Sequence, residues 1–155
     1  MPLRFDAPWS TFLRVITVGV FGILGGAVLA GAQVAVGVLA SALAIAALLS
    51  VRGYVVELGT VRVLRLGWAT TLDLRDLDAV ERDPEAMRRA WRVFGMGGPF
   101  AFVGRFRSRA AGAFSAYATD PSRAVVLRWV DRTVVVTPDD PEAFVAAVET
   151  ASERY

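Results

Sequence analysis

The stretch Val134-Val-Val-Thr-Pro-Asp-Asp-Pro-Glu-Ala-Phe144 decides how the second part of the chain folds. Its three consecutive valines are typical of a buried strand. The two aspartates can accept hydrogen bonds from the first free N–H groups of a helix, and the proline after them suits a first helical turn. Phe144, Val145 and Val148 then recur at helical spacing. We therefore expect a strand followed directly by an amphipathic C-terminal helix.

Short segments of alternating polarity precede this stretch and are separated by glycines and polar turns. Such segments are typical of antiparallel strands. They predict a mainly-β bent sheet or partial barrel of about seven strands, formed by residues 53–155 and capped by the C-terminal helix. Eight segments are candidates for these strands: Tyr54–Leu58, Thr60–Leu66, Thr70–Leu74, Trp91–Phe94, Phe100–Arg109, Phe114–Thr119, Ala124–Val130 and Thr133–Thr137.

Two segments are predicted to interrupt the strands. Residues 76–90 are polar and acidic and contain Pro84, which indicates a connection. Gly95-Met-Gly-Gly-Pro99 predicts a loop between strands. It is not a phosphate-binding loop, because Phe100 stands where a dinucleotide motif needs its third glycine and a strand follows instead of a helix.

The N-terminal part of the chain is apolar throughout. No charged residue occurs between Val15 and Val51, and about 20 apolar helical residues cross a bilayer. Because one helix of this length would exceed the thickness of a membrane, we predict that it folds back at Gly31-Ala-Gln33. The prediction is a transmembrane α-hairpin over residues 1–52, with spans at about 12–31 and 34–51.

Arginines surround the apolar stretch on both sides, and the predicted turn carries no charge. The positive-inside rule then places both termini in the cytoplasm. We predict a multi-pass protein of the cell membrane with the bilayer as one of its partners. The flanking arginines are Arg4, Arg14, Arg52, Arg62 and Arg65.

Small residues within the apolar stretch favour close helix packing. Gly22 and Gly26 are four residues apart, a spacing that allows two helices to approach closely. The two predicted spans could pack against each other through these glycines. Alternatively, two copies of the chain could meet there, so a homo-oligomer is possible.

Several sequence segments in the second part of the chain resemble the bacterial pleckstrin-homology (PH) domain families. The stretch Val134–Phe144 is similar to their closing strand and helix, and the order of strands before a capping helix is also theirs. Phe94–Pro99 followed by Val103–Phe106, and Tyr117–Thr119 ahead of Ala124–Leu127, resemble the same families. The resemblance implies a membrane-anchored PH-like domain that is not catalytic and that binds a protein or a lipid.

The composition excludes most catalytic chemistry. The chain has no histidine and no cysteine, and all 17 of its basic residues are arginine. It therefore lacks the commonest general base, thiolate chemistry and a Schiff-base lysine. We expect no enzyme, no cofactor and no metal site, and a carboxylate-based enzyme is only a remote alternative. The carboxylates in question are Asp73, Asp76, Asp78, Glu81, Asp83 and Glu85, whose spacing does not match an EF-hand.

Charge is unevenly distributed along residues 53–155, although it sums to zero there. This balance gives no support for nucleic-acid binding. No acid occurs between Met87 and Thr119, a segment that is rich in arginine. We predict a module that binds a protein partner, and an anionic-lipid headgroup sensor is the alternative. The predicted contact residues are Arg88, Arg89, Arg92, Arg105, Arg107 and Arg109.

Overall fold

The computed structural model describes residues 2–9, 11–88, 90–98, 101–109 and 112–153. Within these ranges the chain forms three α-helices and ten β-strands. The helices are α1 (Thr11–Leu29), α2 (Gln33–Leu49) and α3 (Pro141–Glu153). The strands are β1 (Leu3–Asp6), β2 (Val51–Glu57), β3 (Thr60–Arg65), β4 (Ala69–Asp73), β5 (Leu77–Arg82), β6 (Trp91–Gly98), β7 (Ala101–Ser108), β8 (Gly112–Ala118), β9 (Val125–Trp129) and β10 (Thr133–Val136).

The helical hairpin at the start of the chain turns close to the predicted point. Helices α1 and α2 contain 19 and 17 residues, and they are joined through Gly31, whose φ of 70° suits glycine. Helix α2 leads into β2 through the single residue Ser50, whose hydroxyl donates to the Ala47 carbonyl at 2.7 Å. The hairpin is therefore attached to the sheet without a flexible linker.

The prediction that this hairpin crosses a membrane is wrong. In the part of the chain that the structure describes, no helix is both long enough and apolar enough to span a bilayer. The turn divides the apolar stretch into helices of about 28 and 25 Å, against a hydrocarbon core of about 30 Å. The structure therefore replaces the predicted transmembrane anchor with two N-terminal helices. The predicted multi-pass cell-membrane localisation and the cytoplasmic placement of both termini depended on that anchor and are wrong with it.

The strands form two sheets. Sheet A has the order β1-β2-β3-β4, and sheet B has the order β5-β9-β10-β8-β7-β6. All pairs are antiparallel except β8 with β10, which are parallel. A mainly-β architecture closed by a C-terminal helix was predicted, and the structure confirms this part of the fold.

The main core lies between the two sheets and α3. Phe144 of α3 is fully buried, and its ring packs edge-on against those of Phe5 and Tyr54, with centroids 5.2 and 5.9 Å away. Helix α3 begins where it was predicted, since Asp140 accepts a hydrogen bond from the Ala143 N–H at 3.0 Å. A smaller core on the other face of sheet B contains Met87, Phe106, Phe114 and Val126 among others.

Three features differ from the strand predictions. Strand β1 was not predicted. It pairs with β2, and Leu3 lies opposite Val56. The predicted acidic connection contains β5, an edge strand of sheet B. The predicted glycine loop is part of β6, which continues to Gly98 along β7; Pro99 and Phe100 lie outside the described residues.

Candidate binding surface

Strand β7 positions two of the predicted arginines on one face of sheet B. Phe106 points into the smaller core, so Arg105 and Arg107 project from the opposite face, as alternation along a strand requires. Their cross-strand neighbours on β8 are Ser115 and Ala113. Both arginine side chains are exposed.

A third arginine joins them from a distant part of the sequence. Arg132 lies in the turn between β9 and β10, where its guanidinium stacks on the Trp129 ring at 4.4 Å and donates to the Asp73 carbonyl at 3.3 Å. Arg105, Arg107 and Arg132 together line a cavity of about 490 Å³. We call these three residues and the cavity the arginine surface.

The arginine surface carries unbalanced positive charge. Among the described residues, Arg105 and Arg107 form neither an ion pair nor a side-chain hydrogen bond. The one acid that lines the cavity is Asp131. Unpaired guanidinium groups can bind carboxylates or phosphates in a bidentate manner, so the surface is suited to an anionic ligand.

Two of the other predicted contact residues, Arg88 and Arg109, lie outside this surface. Arg88 pairs with Glu85 at 2.6 Å, and this hydrogen bond raises the pKa of the Arg88 guanidinium. Arg109 is exposed in the turn after β7 and does not line the cavity. Arg92 belongs to β6, but its side chain lies outside the described part, as does the whole of Arg89.

Sequence reasoning gave no special role to Arg65, which is the most buried arginine among the described residues. The residue is 9% exposed, and its Nε has no hydrogen-bond partner in the part of the chain that the structure describes. The guanidinium lies 4.3 Å from the centre of the Trp68 ring and 5.1 Å from that of Tyr117. Burial lowers the pKa of the Arg65 guanidinium. These two rings stabilise the charge in place of a carboxylate.

Gly22 and Gly26 lie on a part of α1 with no close neighbour. A Cβ atom built on either glycine would meet nothing within 4 Å among the described residues. Their role in helix packing stays a prediction. The division of the chain into residues 1–52 and residues 53–155 also stays a prediction.

Three of the six carboxylates between Asp73 and Glu85 pair with arginines. Asp73 pairs with Arg75 at 2.7 Å, and this hydrogen bonding lowers the pKa of the Asp73 carboxyl. Glu81 pairs with Arg128 at 3.0 Å. The described ranges contain no group of three or more acidic, histidine or cysteine side chains that could hold a metal ion.

Most of the chain matches the model of a known protein family. The family model described as "Bacterial PH domain" matches residues 52–152. The chain belongs to the bacterial PH domain family. No curated protein and no solved structure matches it.

Membership in the bacterial PH domain family indicates what the arginine surface can do. PH domains are generally non-catalytic modules that bind proteins or lipids. A concave surface with unpaired arginines fits such binding, because it offers positive charge and hydrogen-bond donors.

Proposed function

We propose that this bacterial PH domain is a non-catalytic interaction module that binds an acidic segment of a protein partner through the arginine surface. The observation that carries the proposal is the pair Arg105 and Arg107, which line one cavity with Arg132 and pair with no acid in the described part of the chain. An acidic segment supplies the missing carboxylates, and each charge-assisted hydrogen bond contributes roughly 1.5–3 kcal/mol.

The surroundings of the arginine surface favour a protein over a lipid headgroup. Trp91 and Val93 are 55% and 63% exposed, and Val93 lines the same cavity. Arginine beside an exposed tryptophan is the composition typical of the energetic centre of protein interfaces. A headgroup would use the charge but leave these apolar side chains in water.

A binding measurement on the full-length protein tests the proposal. The probe is a fluorescein-labelled peptide of ten glutamates, and its binding is followed by fluorescence anisotropy. We expect the variant Arg105→Gln/Arg107→Gln to bind at least ~10-fold more weakly, a loss of about 1.4 kcal/mol. The matched control is Arg52→Gln/Arg62→Gln, which removes two exposed charges from sheet A. It should bind like the parent protein within about twofold.

The same variants distinguish the alternative ligand. Vesicles of phosphatidylglycerol and phosphatidylcholine replace the peptide in a sedimentation assay. Arginine-dependent binding to the vesicles without binding to the peptide would show that the ligand is a lipid headgroup and not an acidic protein segment. Equal loss in the control variant would show only a general effect of charge and would contradict a specific arginine surface.

A further inference from the structure

Strand β6 is a free edge of sheet B. On one side it pairs with β7, and on the other it faces no strand among the described residues. The free edge of a sheet presents unpaired N–H and C=O groups that can pair with another chain. Folded proteins usually protect such edges, so an unprotected one merits a functional explanation.

Two of the other three sheet edges in the described part are protected by α3 or its start. The end of β1 is tied to the residues before α3, because the Asp6 N–H donates to Asp139 at 3.1 Å and the Asp139 N–H donates to the Asp6 carbonyl at 2.8 Å. Strand β5 lies against α3 and is linked to it by the ion pair of Arg82 with Glu142.

The remaining edge, β4, exposes no large apolar side chain of its own. Its neighbour Trp68 donates its indole N–H to the Leu48 carbonyl at 3.3 Å. Strand β6 exposes two large apolar side chains, Trp91 and Val93, whereas β1 exposes one, Leu3, and β4 and β5 expose none among the described residues.

The register of β6 brings Trp91 and Val93 close to the arginine surface. Trp91 lies opposite Arg107, and Phe94 lies opposite Arg105. The register shifts between Arg92 and Phe94, which leaves Val93 unpaired at a bulge. The free backbone edge, two apolar side chains and two unpaired guanidinium groups therefore occur within a few residues of one another.

We propose that β6 is a docking edge, to which the acidic segment of the partner protein adds as a seventh strand of sheet B. This inference rests on the proposed function and specifies the conformation of the ligand. An added strand would lie two strand spacings from β7, about 9.6 Å. An arginine and a glutamate that extend toward each other on this face can cover that distance.

Three peptides of eight residues, the length of β6, test this mode of binding on the full-length protein. Valine and glutamate alternate in the parent peptide. In the second peptide the backbone nitrogens of the odd positions are methylated, and in the third those of the even positions. The N–H groups of an extended strand point alternately to its two sides, so only one of the methylated peptides loses its hydrogen bonds to β6. The other serves as a control for charge, length and stiffness.

We expect one methylated peptide to bind at least ~10-fold more weakly than the parent and the other to stay within about twofold. Arg105→Gln/Arg107→Gln should weaken binding of the parent peptide as well. Equal binding by all three peptides, still dependent on both arginines, would overturn strand addition and leave the acidic-ligand proposal intact. A parent peptide that does not bind, even at low salt, would overturn both.

Discussion

At the scale of single residues, Tyr54 is one of the side chains that link the two sheets. It is fully buried, its hydroxyl donates to the Tyr117 carbonyl on β8, and it accepts a hydrogen bond from the Thr137 N–H at 3.1 Å. Burial raises the pKa of Tyr54 to about 12, from an ordinary value of 10.0. The folded protein therefore retains the phenol proton over a range of pH in which the unfolded chain loses it.

We expect the free energy of unfolding to fall as pH rises between about 10 and 12. The stabilisation by Tyr54 is complete below pH 10, because the phenol is then protonated in both states, and it is lost as pH rises through the pKa of the folded state. Two pKa units correspond to about 3 kcal/mol. Urea unfolding at several pH values measures the slope.

Tyr54→Phe should abolish this slope and cost about 1–3 kcal/mol at pH 7, because the Thr137 N–H loses its partner. Tyr117→Phe is the control and should keep the slope. The titration is unusually clean, since the chain contains neither lysine nor cysteine. An unchanged slope in Tyr54→Phe would contradict the role of this hydroxyl.

At the scale of elements, the pairing of β1 with β2 depends on Gly53. A Cβ atom at this position would lie 2.7 Å from the Phe5 carbonyl oxygen, which is closer than such atoms pack. Only glycine lets the two strands approach here. The pairing also places Phe5 against Phe144, so β1 is part of the main core.

We expect Gly53→Ala to destabilise the protein by about 1–3 kcal/mol, because the methyl group displaces β1. Gly37→Ala is the matched control. It makes the same change within α2, where a Cβ meets nothing within 4 Å, and should stabilise the helix by roughly 0.5–1 kcal/mol. Denaturant unfolding gives both values, and hydrogen exchange should show faster exchange of the β1 amides only in Gly53→Ala. Equal effects of the two substitutions would contradict the close approach.

Local sequence patterns were sufficient to predict α3 and most of sheet B. They failed for a strand whose partner is distant in the sequence and for a polar strand at a sheet edge. The Asp-Pro start of α3 and the alternation around Arg105 are signals within a few residues. Strand β1 has only four residues, and its partner follows the whole helical hairpin. The sequence of β5 is mostly polar because most of its side chains are exposed at a sheet edge. No local signal distinguishes such a strand from a connection.

Part of the candidate site could also be predicted from local sequence patterns. Arg105 and Arg107 belong to an alternating strand that the sequence reveals. Arg132 and Arg65 are brought to their positions by tertiary structure, one through the turn before β10 and the other through stacking on Trp68 and Tyr117. The glycines of β6 were misread because a paired strand tolerates them when its neighbour supplies the hydrogen bonds.

At the scale of the whole molecule, the helical hairpin exposes a large apolar surface. Leu29, Val34, Val18 and Val38 are 91%, 83%, 73% and 65% exposed, and no charged residue interrupts this surface between Val15 and Val51. Contiguous apolar surfaces of this kind promote association.

We expect the full-length protein to self-associate in aqueous buffer through this hairpin. Val18→Gln/Val34→Gln/Val38→Gln should lower the molar mass measured by light scattering during size-exclusion chromatography. Leu58→Gln/Leu66→Gln/Val130→Gln is the matched control, because these residues are exposed elsewhere on the surface. It should leave the molar mass unchanged. A parent protein that elutes as a monomer would contradict the expectation.

The pairing of β1 with β2 has a consequence for how the chain can be rearranged. These strands are neighbours in sheet A, and the entire helical hairpin connects one to the other. In topological terms the hairpin is an insertion within a β-meander. The ends of the insertion lie close together, since Asp6 is opposite Gly53 and the Ala7 N–H donates to the Arg52 carbonyl at 3.2 Å. A tight turn could therefore replace both helices, and the PH domain would remain a continuous sheet with its N-terminal strand in place.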